Sequence, residues 1–349
     1  MTARQGFFAI VLATGLTAAA PARPDTVLTL NVWPSPKHNL MADVMIPWSK
    51  RVTEATHGRV RFRLPAAPLA RGAGIYDAVA GGVVDVSYAV HGYTPARFVF
   101  YRLVEFPFAA NSATAASVVY WRMYEKYLAR HDPHRGVKLL GLFTHGPGEI
   151  FTRDKPIRRI SDFKGVKMRT GGGMQRDIAE RLGAVIVAAV APRNYEILSR
   201  GIADGTFLPL ESLYKYNIDR FIHFHTRVPG GLYNTSFMLI MNPAKWAALS
   251  PADRAAMSRV SGEALARLAG ASWDRLDAAA RARMDKAEIT VIPANAAFEA
   301  EIAAATAPII ENWERDMKAK RGLDGAQVLA DFRAEVKRLE RAAGGPDGG

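Results

Sequence analysis

The chain has 349 residues, of which 49% are hydrophobic and 23% charged, enough for two ordinary domains with cores of their own and too balanced for a disordered or fibrous chain. The formal net charge of +13 comes from 46 Lys and Arg against 33 Asp and Glu, dispersed along the whole length, so the surface favours anions in general. No zinc-finger spacing, RNP-type aromatic motif or basic helix ahead of heptads points to nucleic acid.

The first 22 residues, MTARQGFFAIVLATGLTAAAPA, read as a secretory signal. Arg4 gives the positive start, Phe7 to Leu16 is too short to span a bilayer, and Ala20-Pro21-Ala22 fits a small-residue cleavage site. Removing this segment takes away one positive charge and leaves +12. The absence of cysteine excludes disulfides, thiol catalysis and a lipid-modified cysteine. No later run is long and apolar enough to be membrane-spanning.

From there strand and helix patterns alternate. Val27 to Trp33 alternates apolar and polar side chains as a strand does; a proline-rich loop, Pro34 to His38, leads to a helix over Leu40 to Thr56. Val60 to Leu64 is a second strand, Ile75 to Gly82 a short helix and Val84 to Val90 a third strand. Further strands are expected at Val137 to Phe143, Ile150 to Thr152, Val166 to Arg169, Ala184 to Val190 and Ser236 to Met241. This order predicts an α/β chain of βαβ units with mostly parallel sheets. Ser250-Pro251-Ala252-Asp253 is a strong helix start, and helical periodicity from it toward Met284 suggests one long helix crossing between domains. Helices over Phe298 to Met317 and Gly325 to Leu339 follow, then a glycine-rich tail, 342 to 349, expected to be disordered.

Arg169 closes a strand in VKMRTGGGMQRD and precedes three glycines and a helix start. An open α/β sheet places its ligand at such a junction, the glycines let it approach the backbone, and the planar guanidinium matches a carboxylate in two places. A surface ion pair explains the residue equally well from spacing alone. No Gly-Lys-Ser/Thr follows the glycines, so a phosphate loop is not indicated. Arg153 also follows a short apolar strand; if both arginines end strands on one sheet edge, they can hold two faces of one anion. The stretches HGYTPARF, with His91, Tyr93 and Arg97, and DGTFLPLES, with Phe207 and Glu211, each read as loops after strand ends, where a cleft would lie. Pro133 breaks the spacing of His131 and His134, and His223/His225 has no third ligand near, so no metal is expected, and no catalytic constellation or cofactor motif is present.

Four segments together carry a resemblance: AVAGGVVDVSYAVHGYTPARF with FPF, FTRDKPIRRISDFKGVKMRTGGG, RLGAVIVAAVAPRNYEILSRGIADGTFLPLES and LIMNPAKWAALSPADRAAM. From Thr26 to about Leu339 the chain resembles the DctP-like periplasmic solute-binding proteins of tripartite ATP-independent periplasmic (TRAP) transporters. The resemblance implies a two-lobed periplasmic-binding-protein fold that closes on a small organic acid, with no cofactor and no catalysis. It implies a periplasmic location and delivery of the acid to the small and large subunits of an ion-gradient-driven membrane permease; a sensing partner for a membrane kinase remains open. Residues 23–148 with 238–261 would form one lobe, 149–237 the other, and 262–341 the domain-spanning and C-terminal helices. By the same resemblance Arg169 binds the ligand carboxylate and Arg153 adds a contact. His91, Tyr93 and Arg97 face them across the cleft, and Glu211 and Asn234 add polar groups. Phe207-Leu208 stands where the family usually carries polar residues, which shifts the expected ligand toward an apolar or aromatic monocarboxylate walled by Tyr93, Phe207 and Tyr233.

Overall fold

The computed structural model describes residues 25–33, 38–131 and 134–344. The signal segment, most of the loop before Leu40, the middle of the His131–His134 pair and the last five residues lie outside the described residues. Eleven strands occur among those described: β1 (Thr26–Asn31), β2 (Val60–Arg63), β3 (Val86–Val90), β4 (Lys138–Thr144), β5 (Gly148–Thr152), β6 (Lys167–Thr170), β7 (Val185–Ala188), β8 (Gly205–Pro209), β9 (Phe224–Arg227), β10 (Ser236–Met241) and β11 (Thr290–Pro293). They build two sheets, ordered β2-β1-β3-β10-β4 and β11-β9-β5-β8-β6-β7.

The sheets are mixed rather than mostly parallel. β10 runs antiparallel to both of its neighbours, and so does β5. The reason lies in the connections. The chain leaves the first sheet at Thr144 and enters the second at Gly148, then returns from Arg227 to Ser236, in neither case through the crossover helix that keeps successive strands parallel. These two crossing segments pair with each other. The Gly148 amide donates to the Tyr233 carbonyl at 2.8 Å, and the Leu232 amide donates to the Gly148 carbonyl at 2.8 Å.

Two helices differ from the sequence pattern. The Leu40 to Thr56 run begins with wider π-helical turns over Leu40–Met45 and becomes α-helical over Ile46–Ala55, with Pro47 at the junction. Proline has no N–H to give, which loosens the ladder there. The run from Ser250 to Met284 is two helices, Pro251–Arg259 and Glu263–Met284. The Ser250 hydroxyl caps the first by accepting from the Asp253 amide at 3.0 Å. Gly262 separates them at φ 55°, gives its amide to the Leu140 carbonyl at 2.8 Å, and would place a Cβ 2.9 Å from the Trp121 ring. Only glycine fits that contact. At the other end Ala342 still belongs to the helix Gly325–Ala342 and not to a tail.

The helix Glu263–Met284 is shared between cores. Leu265, Ala269 and Trp273 pack with Leu30, Tyr88 and Leu239 of the first sheet, whereas Ala280 and Met284 pack with Phe151 and Leu208 of the second. A third cluster, in which Met238 and Ile240 join Met168 and Phe207, runs under both sheets and receives Phe298, Trp313 and Phe332 from the last two helices. Each fully buried aliphatic side chain contributes about 1.5–3 kcal/mol. Large rearrangement inside any of these cores is therefore costly.

Candidate functional site

Between the sheets, at the C-terminal ends of β1, β3, β6 and β8, lies a cleft with about 720 Å³ of atom-free space, its mouth included. The strand ends of an α/β sheet are where small-molecule sites form. The first half contributes Trp33, Tyr93, His145 and Phe237; the second contributes Arg169, Gln175, Glu211 and Tyr216; Trp273 comes from the shared helix and Tyr233 to Thr235 from the returning crossing segment.

Arg169 is the chemical centre of this cleft. On β6 Lys167 faces solvent, and the strand's burial places Arg169 inside at 1% exposure. Its Nε and Nη2 donate to the Ala189 carbonyl at 2.9 and 2.5 Å, and Nη1 donates to the Phe207 carbonyl at a long 3.5 Å. A guanidinium has five N–H donors, so two have no partner among the described residues, and no carboxylate there lies within ion-pair distance of it. Burial pulls its pKa below the usual arginine value, while the nearby Tyr93, Tyr233 and Tyr216 act the other way. An unpaired buried cation costs several kcal/mol, and an anion in the cleft removes that cost.

The remaining walls are aromatic. Phe237 stacks on Trp273 with centroids 5.5 Å apart; Trp33 lies 6.3 Å from Tyr93; the His145 ring meets Tyr233 edge-on at 5.5 Å. Several polar atoms in the walls are buried and have no hydrogen-bond partner among the described residues: Trp33 Nε1, His145 Nε2, Glu211 Oε2 and the Tyr233 hydroxyl. Burial raises the Tyr93 and Tyr233 pKa values, which keeps both phenols as neutral donors. Burial also pushes the Glu211 carboxyl up to about 7, against its bonds from Ser212 Oγ at 2.9 Å and Trp273 Nε1 at 3.2 Å. The Gly171 amide at the loop before the helix Met174–Arg181 is taken by Gln175 Oε1 at 2.7 Å.

Of the residues singled out in the sequence, Arg169, Tyr93, Glu211, Tyr233 and Asn234 line the cleft. Four do not. Arg153 follows the C-terminal end of β5, and because β5 is antiparallel to β8 while β6 is parallel to it, that end lies at the opposite edge of the sheet from Thr170. Its Nη1 donates to the Leu198 carbonyl at 2.6 Å instead. His91 turns into the core, stacked on Tyr101 at 4.8 Å, with Nε2 3.2 Å from His134 Nε2. Arg97 lies outside over the Tyr76 ring and pairs with Asp77 at 3.1 Å. Phe207 sits in the core 6.2 Å from Phe163, because GTFLP is the strand β8 and not a loop after one. His225 is bonded to Glu149 in the interior, and no group of three metal-ligating side chains occurs among the described residues.

Trp33, His145, Gln175, Tyr216, Phe237 and Trp273 escaped the sequence reading. His145 had a usable signal, standing two residues past the end of the strand predicted at Val137 to Phe143; Trp273 had none, since helical spacing marks it only as core.

The family model of the bacterial extracellular solute-binding proteins, family 7 (DctP), matches residues 31–316. A TRAP periplasmic solute-binding protein from Bordetella bronchiseptica, solved with bound (R)-mandelate and (S)-mandelate, is 43% identical and superposes with a TM-score of 0.87 over 90% of this chain and 99% of that one. Another from Rhodoferax ferrireducens, in complex with copurified benzoate, is 30% identical with a TM-score of 0.81 over 91% of this chain and 99% of that one. The protein named outer membrane transporter protein TsaT of Comamonas testosteroni is 30% identical over 337 residues, 96% of this chain and 99% of that protein. No helix among the described residues is long and apolar enough to cross a membrane.

Proposed function

The chain belongs to the bacterial extracellular solute-binding proteins of family 7, the periplasmic receptors of TRAP transporters and not enzymes, and from that premise we propose that it captures a small aromatic monocarboxylate between its two halves. One observation carries the reading: a guanidinium buried to 1% exposure, tethered by backbone carbonyls and lacking a carboxylate partner among the described residues, opens on a cleft walled by Trp33, Tyr93, Phe237 and Trp273. The carboxylate takes the free N–H groups of Arg169, with the Tyr233 hydroxyl as a further donor, and the ring lies among the aromatic faces. The mandelate and benzoate in the two structural relatives support this class of ligand.

Each half supplies part of the site, so ligand binds best when the halves are together, and the paired crossing segments at Gly148 and Tyr233 are the hinge. The chain works after export through its N-terminal signal and hands the acid to the small and large subunits of an ion-gradient-driven permease. Calorimetric titration with mandelate, phenylacetate, benzoate and their neutral amides tests the ligand class. The acids bind and the amides do not; equal binding of an acid and its amide removes the carboxylate reading.

A further inference from the structure

The crossing segment that leaves the first sheet carries His145, whose hydrogen bonding is half finished. Nδ1 lies 2.5 Å from the Gly146 carbonyl oxygen. A carbonyl can only accept, so Nδ1 carries the proton and Nε2 carries a lone pair. Nε2 has no partner among the described residues, in a side chain that is 5% exposed. Burial pulls the ring's pKa down to about 4, so the lone pair persists at neutral pH. Around it stand Tyr233, Phe237 and Trp273, with ring centroids 5.5, 6.2 and 6.5 Å away, all of them walls of the cleft.

An unsubstituted aromatic acid brings this nitrogen nothing, since its ring has no hydrogen-bond donor and its carboxylate only accepts. We infer that His145 selects a hydroxyl group on the ligand: its Nε2, oriented by the bond from Nδ1 to Gly146, accepts a hydrogen bond from a hydroxylated aromatic acid held at Arg169. The inference rests on the carboxylate reading of the site and narrows it. An ammonium group is the weaker match, because one lone pair satisfies one of its hydrogens and the others face aromatic rings, with a second cation brought toward Arg169. Buried acceptors of this kind discriminate strongly, because the analogue lacking the donor leaves them dry and unpaired.

The test is calorimetry on matched ligands: phenylacetate against mandelate, benzoate against 3-hydroxybenzoate, and phenylglycine as the amine. At least one hydroxylated acid binds ten-fold or more tightly than its parent, and tighter than phenylglycine. In His145→Phe that ratio falls to about one, and His145→Gln, which keeps an acceptor, restores part of it. Should the variants fail to fold, long-range ¹H–¹⁵N spectra of the wild-type protein provide the second measurement: the His145 Nε2 resonance moves on adding the preferred hydroxy acid and stays with its parent. Equal binding of parent and hydroxy acid, tighter phenylglycine, a ratio unchanged in His145→Phe, or an unmoved Nε2 resonance each overturns the inference while leaving the carboxylate site standing. If no acid binds at all, both readings fall together.

Discussion

Arg169 donates from Nε and Nη2 to a single acceptor, the carbonyl oxygen of Ala189, at 2.9 and 2.5 Å. The backbone thus fixes the plane of the guanidinium and leaves its outer N–H groups for a ligand. Arg169→Ala should weaken binding of the cognate acid by about 2–5 kcal/mol, because a desolvated charge pair loses one partner. Arg169→Lys should recover only part of it, since an ammonium has no planar fork. Calorimetry checks both; an Ala variant within a few-fold of wild type contradicts the site.

Arg153 is the control. Its bond to the Leu198 carbonyl, at the far edge of the second sheet, is structural. We expect Arg153→Ala to shift the dissociation constant by less than about three-fold and to lower stability by about 1 kcal/mol in denaturant titration. A loss of affinity comparable to that of Arg169→Ala would show that the arginine reaches the ligand.

The two halves touch through glycine. A Cβ on Gly173, which has φ 58°, would lie 2.9 Å from Gly92 Cα across the cleft, and one on Gly92 would lie 3.8 Å from Gly173 Cα. Gly173→Ala both strains its own backbone and wedges the loops apart. The expected result is a dissociation constant raised ten-fold or more, with less ligand-induced compaction in small-angle X-ray scattering. Wild-type compaction and affinity together would rule the contact out as a closing point.

Stability should peak at mildly acidic pH. Burial pulls His91 and His145 down to about 3 and 4, and lowers His134 and His225 as well. Their contribution is whole above about 6.5 and is lost as pH falls through those values, because the unfolded chain takes the protons first. Burial raises Glu149, against Arg281 and Arg227, and pushes Glu211 up to about 7. Their contribution is whole below about 4.5 and is lost as pH rises through about 7. Thermal melts should therefore give a maximum Tm between about pH 5 and 6.5, and Glu211→Gln should shallow the alkaline fall. A Tm rising steadily from pH 6 to 9 contradicts this balance.

The β-strand pattern was legible in two ways: alternation marks the half-buried Val60 to Arg63, and an almost unbroken apolar run marks Ser236 to Met241, which is buried on both faces and has the same ends in sequence and structure. Sheet direction was not. Nothing local in Ile150 to Thr152 says that the chain has just changed sheets, so the antiparallel course of β5 and the displacement of Arg153 that follows from it depend on distant pairing. Arg169 could be picked out because a charge that ends an apolar strand beside glycines is unusual; its burial could not. Phe207 misled because β8 is a short strand that starts on the glycine of Asp204-Gly205 and ends on Pro209, residues that read as loop punctuation. The aromatic cage was invisible as a unit, assembled from positions as far apart as Trp33 and Trp273.

The helix Glu263–Met284 grips one core with Leu265 and Trp273 and the other with Met284. A rod clamped on both sides resists sliding, so the least costly relative motion is a twist and bend in the turn between Trp273 and Ala280, around Asp277. Distances between labels at the outer rims should then change far more than any measured beside this shaft, and stiffening its centre would slow both entry and escape of the captured molecule.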